Sequence, residues 1–209
     1  KKNTSGNAIL LPEWMGLVTP FRYVEIEYAG SFTVIPTRDI FHYRFNDNAA
    51  SFVSSDTVLN QIWDLCKHSI KATTVTGLYI DGDRERIPYE ADALINQLSH
   101  YAVDSVYEVA RNTIDHLMMH PTWPTEWHLQ MHQVIWNDYM YTGNTALIKK
   151  YYDLLKTKTL MSLAQKGNLI TTVGSNQKKS LLDSLHYVTF DQKPVLRDIT
   201  DWPQRGNNL

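Results

Sequence analysis

Twelve consecutive residues, Asp81-Gly-Asp-Arg-Glu-Arg-Ile-Pro-Tyr-Glu-Ala-Asp92, hold five carboxylates (Asp81, Asp83, Glu85, Glu90, Asp92) and two guanidiniums (Arg84, Arg86). Leu78, Tyr79 and Ile80 before the run, and Ile87 and Tyr89 within it, predict partial burial. Crowding and desolvation push at least one carboxyl pKa upward, while a nearby arginine pulls others down. Such a cluster can keep one acid protonated near neutral pH beside ionised neighbours. Glycoside hydrolysis needs that division: a protonated carboxyl hands its proton to the leaving oxygen, and a second carboxylate serves water or the sugar. The same composition equally describes a solvated surface loop with weak, exposed ion pairs. Calcium fits poorly. Asp81, Asp83, Glu85 and Asp92 fall at positions 1, 3, 5 and 12 of an EF-hand-like loop, but Arg86 stands where that loop needs glycine, and Pro88 interrupts it.

Helices must position this cluster. Ser54-Ser55-Asp56 offers N-cap side chains, and Val58, Leu59, Ile62, Leu65, Cys66 and Ile70 recur at helical spacing, predicting a helix over 56–74. Leu94, Leu98, Ala102, Val106 and Val109 predict one long helix over 91–118, stopped at His120-Pro121. A third is expected over 125–141, before Thr142-Gly143-Asn144. A fourth, over 145–166, carries Leu147, Tyr151, Leu154, Leu155 and Met161 inward and ends at Gly167. The charged run occupies the connection between the first two helices, residues 75–90. A connection that long in a compact domain is functional or disordered, and its aromatic and apolar edges argue against disorder.

Ahead of the helices, residues 8–45 alternate with period two and are punctuated by Pro20, Ala29-Gly30 and Pro36. They read as short strands forming one edge of a β-sandwich. The fold class is therefore mainly α, antiparallel helical hairpins preceded by terminal β-sandwich strands. The boundary falls at residue 46, dividing the chain into 1–46 and 47–209.

Composition narrows the partners. With 43% hydrophobic residues the chain can bury a core, and a net charge of −2 with interspersed signs leaves no basic stripe to follow a phosphate backbone. No nucleic-acid partner is expected on that ground. No apolar run of membrane-spanning length occurs. Cys66, the single cysteine, precludes an internal disulfide and a cysteine-rich zinc site and is expected in the core. His128 and His132 stand four apart on one helix face, yet Leu129 occupies the place where a zinc protease carries glutamate. No metal or other cofactor is expected. Among the aromatics, Trp123 and Trp127, beside Pro121, Pro124 and Glu126 at a helix entrance, are the best candidates to stack on a sugar; Trp136, Tyr139 and Tyr141 read as packing. The chain ends, Lys1 and Asn207-Asn208-Leu209, lead to the expectation that more protein lies on both sides.

The run Asp81 to Asp92, following a helix that includes Leu59-Asn-Gln-Ile-Trp63, closely resembles the catalytic loop of the α-L-rhamnosidases, glycoside hydrolase family 78. Pro20-Phe-Arg-Tyr-Val-Glu-Ile26 resembles the end of that family's β-domain, and Trp136-Asn-Asp-Tyr-Met-Tyr-Thr-Gly-Asn144 a helix-ending motif of its (α/α)6 barrel. The resemblance implies the start of such a barrel acting as an inverting glycosidase on terminal α-L-rhamnosyl or related deoxysugar linkages. Glu85 becomes the general acid. Asp92 holds sugar hydroxyls, Asp81 and Arg84 line the site, and the acidic/aromatic stretch with Asp198, Asp201 and Trp202 is of the type found there. The general base lies outside this chain, so the chain alone is expected to be inactive. The implied partner is an oligosaccharide or rhamnoside, with a homodimer allowed and a secreted or periplasmic setting. One departure stands out: Pro88-Tyr89-Glu90-Ala91-Asp92 replaces the commoner Gly-Trp-Thr-Gly-Asp, and the leading section is one residue shorter. Glu90 is accordingly expected to alter which sugar fits. Rival readings are a non-catalytic carbohydrate-binding protein on the same scaffold and a purely structural module.

Overall fold

The computed structural model describes residues 23, 25–27, 29–31, 33, 43–74, 76–82, 85–167, 169–172, 179–187 and 196. Among them the chain is mainly helical, with α1 (Thr57–Ala72), α2 (Glu90–Val103), α3 (Glu108–Met119), α4 (Trp127–Thr142), α5 (Ala146–Lys158), a 3-10 turn at Met161–Leu163 and α6 (Lys179–Ser184). Most of residues 8–45, where strands are expected, lie outside the described residues.

Helix ends follow local chemistry. Asp56 caps α1, its carboxylate accepting from the Val58 N–H at 2.8 Å, which satisfies a donor the first turn would otherwise orphan. Gly143, at φ 67°, ends α4 in the left-handed region, where a missing Cβ removes the steric penalty. The single helix expected over 91–118 is in fact two. Asp104 leaves the helical region (φ −135°, ψ 163°). Its Oδ1 accepts from the amides of Ser105 at 2.7 Å, Val106 at 3.2 Å and Asn46 at 2.9 Å. A short carboxylate offering the backbone these partners outcompetes the next helical turn. α5 likewise stops at Lys158, short of 166, because Leu160 turns to φ 58°. Met161, expected inward, is consequently exposed.

α4 packs on α2, α3 and α5, and α1 on α2. The core is densest on α3, where Val109, Ile114, Leu117 and Met118 are wholly buried against Ala93 and Tyr101 of α2 and Met131 and Ile135 of α4. Burial of each large side chain contributes about 1.5–3 kcal/mol. A second cluster, including Leu160, Leu163, Leu182 and Leu185, fastens the 3-10 turn to α6. From α1, Ile70 is the residue that reaches the buried core. Val58, Leu59, Ile62 and Leu65 are exposed, and Cys66, expected in the core, is exposed with them. Helical spacing decides which side chains share a face; it does not supply a neighbour to cover it.

Candidate active site

The charged connection enters through the core. Tyr79 is buried, its N–H donating to Thr113 Oγ1 at 2.8 Å and its phenol meeting His100 Nδ1 at 2.6 Å. His100 Nε2 meets Asp104 Oδ2 at 2.7 Å. The carboxylate can only accept, so Nε2 carries the ring proton and Nδ1 accepts from Tyr79. That neutral form agrees with burial lowering the His100 pKa in spite of Asp104. The start of the loop is thus tied both to α3 and to the break after α2.

Beyond Ile80 the chain pinches into a small loop. Asp81 N–H donates to the Ile87 carbonyl at 3.1 Å, and Ile87 N–H donates to Asp81 Oδ1 at 3.4 Å. Gly82, at φ 123°, and Arg86, at φ 61°, let the backbone reverse between those ends. A left-handed arginine is unfavourable by roughly 1–2 kcal/mol, and the surrounding loop holds it there. The tip carries Glu85, which is exposed; Arg84 lies outside the described residues. Tyr89 O–H donates to Glu85 Oε2 at 2.6 Å. Burial, then the hydrogen bond and charge of Glu85, then the charges of Asp81 and Asp92, push the Tyr89 phenol upward. Asp81, Glu85 and Asp92, three residues expected in the site, therefore act together on one phenol.

Glu90 behaves differently from the expectation that it shapes the sugar site. It is completely buried, Oε1 accepting from Thr122 N–H at 3.0 Å and Oε2 from the Thr122 hydroxyl. Burial holds its carboxyl above the usual carboxylate range, opposed by the Thr122 hydrogen bonds and by the charge of Lys158. His128 is buried beside it and donates from Nε2 to the Thr122 carbonyl at 3.1 Å, which leaves Nδ1 unprotonated and without a partner. Burial, with Lys158 adding to it, drops the His128 pKa to about 3, so the ring is neutral. Burial lowers Lys158 to about 8 against the pull of Glu90, and its Nζ has no hydrogen-bond partner. His132 faces elsewhere, to the Leu129 and Leu155 carbonyls at 2.9 Å each, so the two histidines do not converge.

Trp127 is 7% exposed and stands edge-on to Tyr89, ring centroids 5.5 Å apart. Trp123 is half-buried, and its carbonyl accepts from the Tyr187 hydroxyl at 3.0 Å. Asp198, Asp201 and Trp202 lie outside the described residues. Sequence reasoning missed the Tyr89–Glu85 bond and the group Glu90, Thr122, His128 and Lys158. The four-residue interval between Glu85 and Tyr89 was visible, but it predicts contact only within a helix. Thr122 lies 32 residues beyond Glu90, where no local spacing points to it.

Residues 47–195 match the bacterial alpha-L-rhamnosidase 6 hairpin glycosidase domain, and the chain belongs to that family. No curated protein and no solved structure matches it. Membership fits the mainly helical architecture and defines a glycosidase-type domain. No helix among the described residues is long and apolar enough to cross a membrane.

Proposed function

We propose that this chain carries the acid half of an inverting glycosidase acting on terminal α-L-rhamnosyl or related deoxysugar linkages, with Glu85 as general acid. One observation supports the reading above others: Glu85 is exposed at the tip of a pinched loop, and it shares Tyr89 with the charges of Asp81 and Asp92. An acid that must meet a substrate has to be reachable from solvent, and carboxylates beside it can accept hydrogen bonds from sugar hydroxyls. Asp92 accepts from those hydroxyls, and Asp81 and Arg84 line the site, the first as a further acceptor and the second as a donor to a sugar oxygen. Trp123 offers a partly open ring, and Trp127 acts through Tyr89. Asp201 and Trp202 enter on the resemblance alone. Inversion requires water on the opposite face of the sugar, activated by a second carboxylate roughly 6.5–9.5 Å from Glu85. That base is assigned outside this chain.

The test is hydrolysis by the full-length protein of a panel of aryl glycosides that includes an α-L-rhamnoside, with Glu85→Gln beside wild type. Wild type is expected to release the sugar first as the opposite anomer, seen by NMR, and Glu85→Gln to lose about 10²–10⁴ in kcat on a substrate with a poor leaving group. Equal turnover by both proteins sinks the acid assignment. Binding of sugar without hydrolysis of any panel member favours a lectin-like role.

A further inference from the structure

Glu85 sits on a loop tip, whereas the side chain that grips it is held rigidly. Tyr89 lies between Pro88, which is buried and whose ring fixes φ, and Glu90, which is fully buried and twice bonded to Thr122. Its carbonyl accepts from Ala93 N–H at 2.8 Å, anchoring it to the first turn of α2. Its ring stands edge-on to the buried Trp127. The phenolic oxygen is therefore delivered to Glu85 Oε2 from fixed backbone and fixed packing.

We propose that Tyr89 is a positioning residue for proton transfer, its O–H holding Glu85 Oε2 and stabilising the carboxylate left when Glu85 gives up its proton. The inference rests on Glu85 being the general acid. With Oε2 accepting from Tyr89, the acid carries its proton on Oε1. That proton passes to the glycosidic oxygen as the bond from that oxygen to the anomeric carbon breaks. Water's oxygen bonds to the same carbon from the opposite face and loses a proton to the base, and the aglycone departs as a neutral alcohol. Glu85 ends as a carboxylate. A hydrogen bond to a charged acceptor is about twice as strong as one to a neutral acceptor. The Tyr89 bond accordingly strengthens as the proton leaves, a gain present in the transition state and smaller in the ground state. Trp127 and the buried neighbours fix where the hydroxyl stands.

The experiment compares wild type, Tyr89→Phe and Glu85→Gln in the full-length protein on two α-L-rhamnosides. One has a phenyl leaving group, which needs a proton. The other has 2,4-dinitrophenyl, which departs without one. Tyr89→Phe keeps the ring on Trp127, so its Tm is expected within about 2 °C of wild type. Its kcat on the phenyl glycoside is expected to fall about tenfold, with KM within about twofold and the dinitrophenyl rate nearly unchanged. A loss equal on both substrates, a loss confined to KM, no loss on the phenyl glycoside, or a Tm lower by more than about 5 °C overturns the proposal. Glu85→Gln separates the two claims. If it loses phenyl turnover selectively while Tyr89→Phe does not, Glu85 stands and Tyr89 falls. If Glu85→Gln shows no selective loss, or wild type cleaves neither glycoside, the reading of Glu85 falls and takes this inference with it.

Discussion

Glu85 and Glu90 are five residues apart in one charged run, and the fold sends them to opposite environments. Glu85 is exposed on the loop tip and accepts from a phenol. Glu90 begins α2, loses all contact with water, and binds both the amide and the hydroxyl of Thr122. Around Glu90 are a neutral His128 and a buried Lys158 whose amine has no hydrogen bond. A buried carboxylate is tolerated only with such partners, because desolvation is unfavourable by several kcal/mol unless donors and opposite charge offset it. The same side chain is thus exposed in one place and, in the other, committed to tying α2 to the turn between α3 and α4 under the charge of Lys158 from α5. Residue type does not decide the role. Access to water and the number of fixed donors do.

Three measurements bear on this contrast. Removing the buried partner has the largest expected effect on folding: Glu90→Ala orphans Thr122 and leaves Lys158 without its compensating charge, so stability should fall by about 3–5 kcal/mol in urea unfolding. A fall below about 1 kcal/mol would mean that Glu90 is not the anchor described. The next effect is acid sensitivity. His128 is depressed to about 3 when folded but takes up a proton near its ordinary value when unfolded, so the unfolded state binds more protons below about pH 6.5. Stability from this group is complete above that value and declines as pH falls towards 3. By pH 5 the decline is about 2 kcal/mol from this ring. Glu90, whose carboxyl is raised, works in the opposite direction over the acid range, so the useful quantity is wild type minus His128→Asn, with stability measured from pH 7 to pH 5. An identical pH dependence in the two proteins would contradict a neutral buried ring. The smallest effect belongs to the exposed glutamate: Glu85→Gln should change unfolding stability by less than about 0.5 kcal/mol. A larger loss would mean that the loop tip is structural after all.

Much of this was legible in the sequence. Helix α1 was foreseen to within two residues at either end, because Asp56 is a short acceptor placed just before the first periodic residue and caps it as expected. Gly143 marked the end of α4 for an equally local reason. The break at Asp104 was not foreseen. Val106 and Val109 keep the helical spacing across it, so periodicity reads straight through a stop made by side-chain hydrogen bonds. The charged connection stood out by its length and composition, and it contains the candidate site. The burial of Glu90 was beyond local reading, since a glutamate defaults to the surface and the partners that reverse that default come from α4, α5 and the turn between α3 and α4. Exposure of the α1 stripe was hidden too, because periodicity does not report what packs against a face.

The pinch at Asp81 has a thermodynamic consequence. Its backbone N–H and its Oδ1 are both engaged with Ile87, so the side chain proposed to receive a sugar hydroxyl is also the clasp of the loop. A sugar hydroxyl that drew on the same carboxylate, as proposed for Asp81, would compete with the Ile87 amide for it. Sugar binding and the Asp81–Ile87 hydrogen bond would then be linked equilibria. Linkage is reciprocal, so whatever factor the sugar applied to that bond, loss of the bond would apply to the sugar's dissociation constant.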